Sequence, residues 1–326
     1  MPPSQRIALF AIALLFSASG ASCPPRTPAV SAPVAFHAPP TVEDLLGVVN
    51  ANSDPIHQLQ ADNARLSIQG IPGLRASVAI QRPRSFRLRA HFIGMGEVLD
   101  MGSNDELFWA LVDAPQMATG IARAVYYARH DRQLSSQAKQ MLPIKPDALV
   151  DAFGLIRFDP EHLHEGPWEH GPGQMQFRSH IPGPEGVTGR ITVVHATYGW
   201  ILEQHLYDPQ GQWTASALTS NHRYYPDIGT SLPHRIEVRM APPNPSFQLD
   251  IDSYSINQLR VDPRQLFTMP AYPDYPAVDL AAPMPWAPGG PPHPPPTAPP
   301  PASPQHHGYP VTGYRPRYRG YTADWQ

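Results

Sequence analysis

FRLRAHFIGMGEVLDMGSNDELFWALV, residues 86–112, decides the fold. In its first arm Phe86, Leu88, Ala90 and Phe92 alternate with Arg87, Arg89 and His91, the period of two expected of an antiparallel strand with one buried side. Gly94 and Gly96 supply a turn, Val98 to Met101 a second strand, and Gly102-Ser103-Asn104-Asp105 another turn before Leu107, Trp109 and Leu111. Three strands with almost no spacer make a meander.

This stretch, followed by AVYYARHD (residues 124–131) and MLPIKPDALVDAFGL (residues 141–155), resembles bacterial envelope lipoproteins of the LolA/LolB-like carrier and receptor family. The likeness runs from Thr41 to Val261 and lies in sheet and turn residues. It implies a curved sheet that holds acyl chains against covering helices, and no catalytic signature. No ligand residue transfers from it by position.

Outward from the meander, further strands are expected at Leu66–Ile68, Leu74–Ile80, Ile121–Arg129, Gln174–His180, Thr188–Ala196, Trp200–Tyr207, Gln212–Ser220, His234–Met240 and Phe247–Ile256. Thr41 caps a helix with Glu43 and Asp44 in its first turn, ended by Pro55, and Pro146 opens a second that Gly154 closes. The expected class is mainly β with some α: a strongly curved antiparallel half-barrel of ten or eleven strands, with helices covering the concave face.

The ends differ from this domain. Arg6, the apolar run Ile7 to Phe16 and the small residues Ser17 to Ser22 read as an export signal spanning residues 1–22. About ten apolar residues cannot cross a hydrocarbon layer, which needs about 20 in a helix. The only cysteine, Cys23, follows Gly20-Ala21-Ser22 and reads as the lipid-modified residue of a lipoprotein, although an aliphatic residue usually stands where Gly20 does. Two or three acyl chains, palmitate among them, anchor a protein at about 0.8 kcal/mol per buried methylene. The alternative is cleavage after Ala21 that leaves a free thiol. Residues 23–40 form a Pro-, Ala- and Ser-rich tether, 41–262 the half-barrel, and 263–326 a Pro/His/Tyr-rich tail expected to be disordered. The tail's tip, Tyr314 to Arg319, offers contact with wall polymer or anionic lipid; the plainer reading is a solvated tail.

With 43 prolines in 326 residues the core-forming length is shorter than the chain, and a formal charge of −3 gives no footprint for nucleic acid. His162, His164, Glu165, Glu169 and His170 crowd one stretch, but not at the HExxH spacing, and Gly166-Pro167 breaks any helix there, so a polar loop is expected and no metal. His130-Asp131 is not joined by a G-x-S-x-G elbow, and the pairs Gly94/Gly96 and Gly171/Gly173 open no helix after a parallel strand. Neither an enzyme nor a cofactor is expected. What remains is an apolar inner face, for which Phe86, Phe92, Leu107, Trp109, Leu111, Met175, Phe177 and Trp213 are the groove candidates. The expected function is that of a lipid-anchored protein facing the periplasm that binds lipid or lipoprotein cargo. The alternative is a structural lipoprotein with a packed barrel and a tail that contacts wall or partner proteins.

Overall fold

The computed structural model describes residues 30–282, apart from 93, 95, 114–123, 133, 135–137, 139–145 and 243–245. The signal, Cys23 and the tail from residue 283 onward therefore lie outside the described residues. Helix α1 (Val42–Ser53) starts as its sequence dictates: Asp44 N–H donates to the Thr41 hydroxyl while Thr41 N–H donates to the Asp44 carboxylate, a reciprocal cap.

Among the described residues fifteen strands follow: β1 (Gln58–Ile68), β2 (Leu74–Gln81), β3 (Ser85–His91), β4 (Glu97–Ser103), β5 (Leu107–Val112), β6 (Val125–Arg129), β7 (Leu163–Gly171), β8 (Gln174–Gly183), β9 (Gly186–His195), β10 (Ile201–Tyr207), β11 (Trp213–Tyr225), β12 (Thr230–Met240), β13 (Phe247–Ile251), β14 (Ser255–Ile256) and β15 (Ala277–Asp279). They form one curved, unclosed sheet in the order β15-β6-β5-β4-β3-β2-β1-β13-β12-β11-β10-β9-β8-β7, with β14 beside β1. All pairs are antiparallel except β15 with β6.

This corrects the expected ten or eleven strands. The missed ones are mostly short or polar: β7 is the stretch read as a loop, and its residues are polar because it is an edge strand with little to bury. The pair of helices expected over the concave face is not matched either. The middle of the inner side is filled by α2 (Pro146–Val150) and a wide turn, Asp151–Leu155, which Gly154 ends at φ 79°. Helix α1 packs toward one end, against Phe177, Val194 and Ile201.

Regular structure continues past residue 262. Helix α3 (Pro263–Leu266) and β15 carry the folded part on to Leu280, which is fully buried. Residues 263–280 cross the outer face of β2 to β6 as a strap, where Leu266 and Phe267 pack on Ala79, and Met269, Tyr272 and Tyr275 pack on Trp109, Leu111 and Val125. Its aromatic rings give it enough apolar area to dock, which its proline content conceals.

Candidate functional site

Register decides which candidates share a face. Phe86 lies opposite Ser103 and Ser103 opposite Phe108, whereas Arg87 lies opposite Gly102 and Gly102 opposite Trp109. Paired residues share a face, so Phe86 points inward and Trp109 outward. Leu107, Trp109 and Leu111 therefore sit under the strap and not in a groove with Phe86. Trp109 is packed so closely on β4 that a Cβ added at Gly102 would fall inside its ring. Phe86 belongs to the large inner cluster, with Phe92 half-buried at its rim; Phe177, with Met175 beside it, packs under α1. Trp213 stands on the outer face, 38 % exposed, its Nε1–H donating to Ser216 Oγ at 2.8 Å. The eight candidates thus occupy three separate apolar clusters and one surface position.

The inner face is apolar from β12 through β3 and carries Ser179, Arg190, Thr192 and Gln204 on β8 to β10, and the plug made by α2 and its wide turn rests on its centre. Phe153 meets Phe86 at a ring distance of 6.4 Å, and Leu149, Val150, Ala152 and Leu155 are buried with Leu232, Ile236 and Val238. One cavity of about 10 Å³ lies between the plug and Arg190, Gln204, Leu206, Ala217 and Val238. Another of about 20 Å³ lies between it and Phe86, Met101, Phe108 and Ala110. Each has room for a water or so.

A polar group that sequence reading did not single out fastens the plug. Asp151 Oδ2 accepts from Arg190 Nη2 at 2.7 Å, and Gln204 Nε2–H donates to the Asp151 backbone carbonyl at 2.9 Å. Burial pushes the Asp151 carboxyl up, and the Arg190 guanidinium opposes that rise. Arg190 Nε and Thr192 Oγ1 are buried without a hydrogen-bond partner. Arg190 is visible in sequence only as a cation between Thr188 and Thr192 on the inward side of β9.

The other polar sets have local roles. His130 Nε2 stands 2.9 Å from Asn104 O, while Asp131 pairs with Arg129, so these neighbours do not face each other. His164 meets Ser179 Oγ and Asp159 O, and His170 meets Gln176 Oε1, so the histidines of β7 do not converge. Ser216, His205 and Glu203 form a chain, 2.7 Å and 3.0 Å long in its two links, across the outer face of β10 and β11. Ser216 is 5 % exposed and already accepts from Trp213, which is the arrangement of a cross-strand tie.

Two buried histidines couple the fold to pH. His222 stacks on Trp200 and its Nε2 stands 3.1 Å from Ile201 O; burial, named first, brings its pKa down to about 4. His234 sits between Tyr225 OH and Ile251 O and is lowered in the same direction, also by burial. Folding thus favours the neutral rings. Their contribution is complete above the ordinary value of 6.5 and is lost as pH falls through 6.5 toward about 4; for His222 the gap corresponds to about 3 kcal/mol. Urea midpoints compared at about pH 7 and about pH 4.5 are expected to fall less in His222→Phe than in the wild type. An equal fall in both would contradict the assignment.

No protein-family model matches the sequence. No curated protein matches it either. Among solved structures, the chain is similar to a domain of a putative outer membrane lipoprotein-sorting protein from Vibrio parahaemolyticus, at 10 % identity and a TM-score of 0.45, over 69 % of this chain and 97 % of that one. It is also similar to a LolA superfamily protein from Nitrosomonas europaea, at 12 % identity and a TM-score of 0.43, over 71 % and 98 %. A third is a DUF1329 family protein from Desulfovibrio piger, at 10 % identity and a TM-score of 0.44, over 69 % and 96 %.

Proposed function

We propose that the chain is an exported, lipid-anchored envelope protein that accommodates an acyl chain, or the acylated end of a lipoprotein, on the inner face of its sheet, without catalysis. The observation that supports this is the construction of the plug. A single short helical stretch, with a cavity on either side, fills the centre of an apolar face much wider than itself. Displacing Leu149 and Phe153 would free a wall of Phe86, Leu88, Ile236 and Val238, against which each acyl methylene gains about 0.8 kcal/mol. Asp151 and Arg190 would be the contacts broken on opening.

The small size of the two cavities favours a second reading, a structural lipoprotein with a solid interior and a tail that contacts wall or partners. Crosslinking with a photoreactive fatty acid separates the two. The carrier reading expects saturable labelling of peptides from α2, β3 and β12; labelling confined to outer-face peptides, or none that saturates, supports the solid interior. For the anchor, Cys23→Ser is expected to move the chain from the membrane to the soluble envelope fraction. Unchanged association with an unmodified cysteine would count against lipidation.

A further inference from the structure

The chain's entry into the domain determines which surface stands nearest the anchor. Ala35 and Phe36 both donate their backbone N–H to Thr197 O, at 2.9 and 3.1 Å. Phe36 packs half-buried beside Gly199, whose φ of 66° forms the turn between β9 and β10. Cys23 precedes Ala35 by twelve residues, which reach at most about 40 Å when extended. That turn is therefore where the tether meets the folded domain.

The rings around that turn form a half-buried aromatic stack. Trp200 is stacked between Tyr198 and His222, with ring centroids 4.5 Å and 5.0 Å away, and His195 lies beside both Tyr198 and Trp200. Val34, 44 % exposed, stands on the tether itself. Trp168, 48 % exposed, lies opposite Gln176 and Gln176 opposite Val193, one row of the outer face from His195. Tryptophan and tyrosine combine an apolar ring with a polar edge, and this places them at the headgroup level of bilayers.

We infer that the β9–β10 turn, with Tyr198 and Trp200 and flanked by Val34 and Trp168, rests in the headgroup region of the membrane that holds the lipidated Cys23. This rests on the anchor reading given above. Tethering makes the second contact intramolecular, so an affinity too weak to hold a free protein suffices to orient an anchored one. The inner face would then be held in a fixed orientation to the bilayer, which suits a protein that takes up or delivers an acyl chain.

The test is tryptophan fluorescence of the full chain in phosphatidylethanolamine/phosphatidylglycerol vesicles, some of whose lipids carry bromine near the headgroup. Bromine-dependent quenching is expected, reduced in Trp200→Phe, reduced further when Trp168→Phe is added, and unchanged in Trp213→Phe, whose ring lies at the opposite end of β10 and β11. The phenylalanine keeps a ring in the stack, so the fold is preserved. Quenching unchanged in Trp200→Phe, or absent, overturns the inference. The mass of the N-terminal peptide reports lipidation separately: a lipidated chain without quenching sinks the turn and spares the anchor. An unlipidated chain rejects the anchor reading on which the inference rests, and overturns both. A response to soluble glycan strands with none to lipid would also overturn it, in favour of sugar stacking.

Discussion

Replacing Trp109 with alanine is expected to cost about 3–5 kcal/mol of folding stability, because the ring is 1 % exposed and its removal leaves a cavity between the sheet and the strap. The ring touches Leu111 and Val125 on the sheet and is covered by Met269, Tyr272 and Tyr275. Urea unfolding measures the loss, and a change below about 1 kcal/mol would contradict the packing. Since Trp109 faces away from the plug, acyl-probe affinity is expected to stay constant in variants that remain folded. Its buried Nε1–H has no hydrogen-bond partner, so Trp109→Phe, which removes that donor and keeps a ring, is expected to cost much less than Trp109→Ala.

Arg87→Met carries a comparable expected loss. Arg87 holds Asp100 in a two-pronged ion pair, Nε to Oδ1 at 3.0 Å and Nη2 to Oδ2 at 2.7 Å, and it also donates to Leu266 O in the strap. The Asp100 side chain is fully buried, and Tyr272 OH is its other contact. Removing the cation leaves a buried carboxylate without a counter-charge, at about 3–5 kcal/mol, and loosens the strap at the same point. Removing both partners, as Arg87→Met with Asp100→Leu, is expected to recover much of the loss, because burying the charges is itself unfavourable. A single substitution no worse than a surface change, or a double one equal to the sum of two large losses, would contradict this.

The meander was legible because alternation, Gly-rich turns and short spacing all pointed the same way, and the helix cap at Thr41 was legible from its Asp44 partner. Facing was harder. In β5 both Phe108 and Trp109 are large and apolar, so the strand reads as alternating from either side, and only its register against Ser103 and Gly102 assigns the faces. Strand β7 was hidden because an edge strand need not alternate. The strap was hidden by composition: Tyr272 and Tyr275 dock through hydroxyls on Asp100, Glu97 and Asp113, contacts distant in sequence that no local pattern announces. The ion pair of Asp151 with Arg190 is of the same kind, two charges 39 residues apart that meet only once the plug is seated.

The central claim is that the plug yields its place to an acyl chain, and the dependence of affinity on chain length tests it most directly. The chain should be full length with Cys23→Ser, because ending at Asp262 would strip the strap from β2 to β6. Fluorescent fatty acids of increasing length are expected to bind saturably, each added methylene contributing up to about 0.8 kcal/mol until the vacated volume is filled. Leu149→Asp, which puts a charge on the plug's buried side, is expected to weaken the plug's seating and raise affinity. Binding that never saturates, or that saturates with no dependence on chain length in the folded protein, would contradict the claim and leave a solid-cored structural lipoprotein.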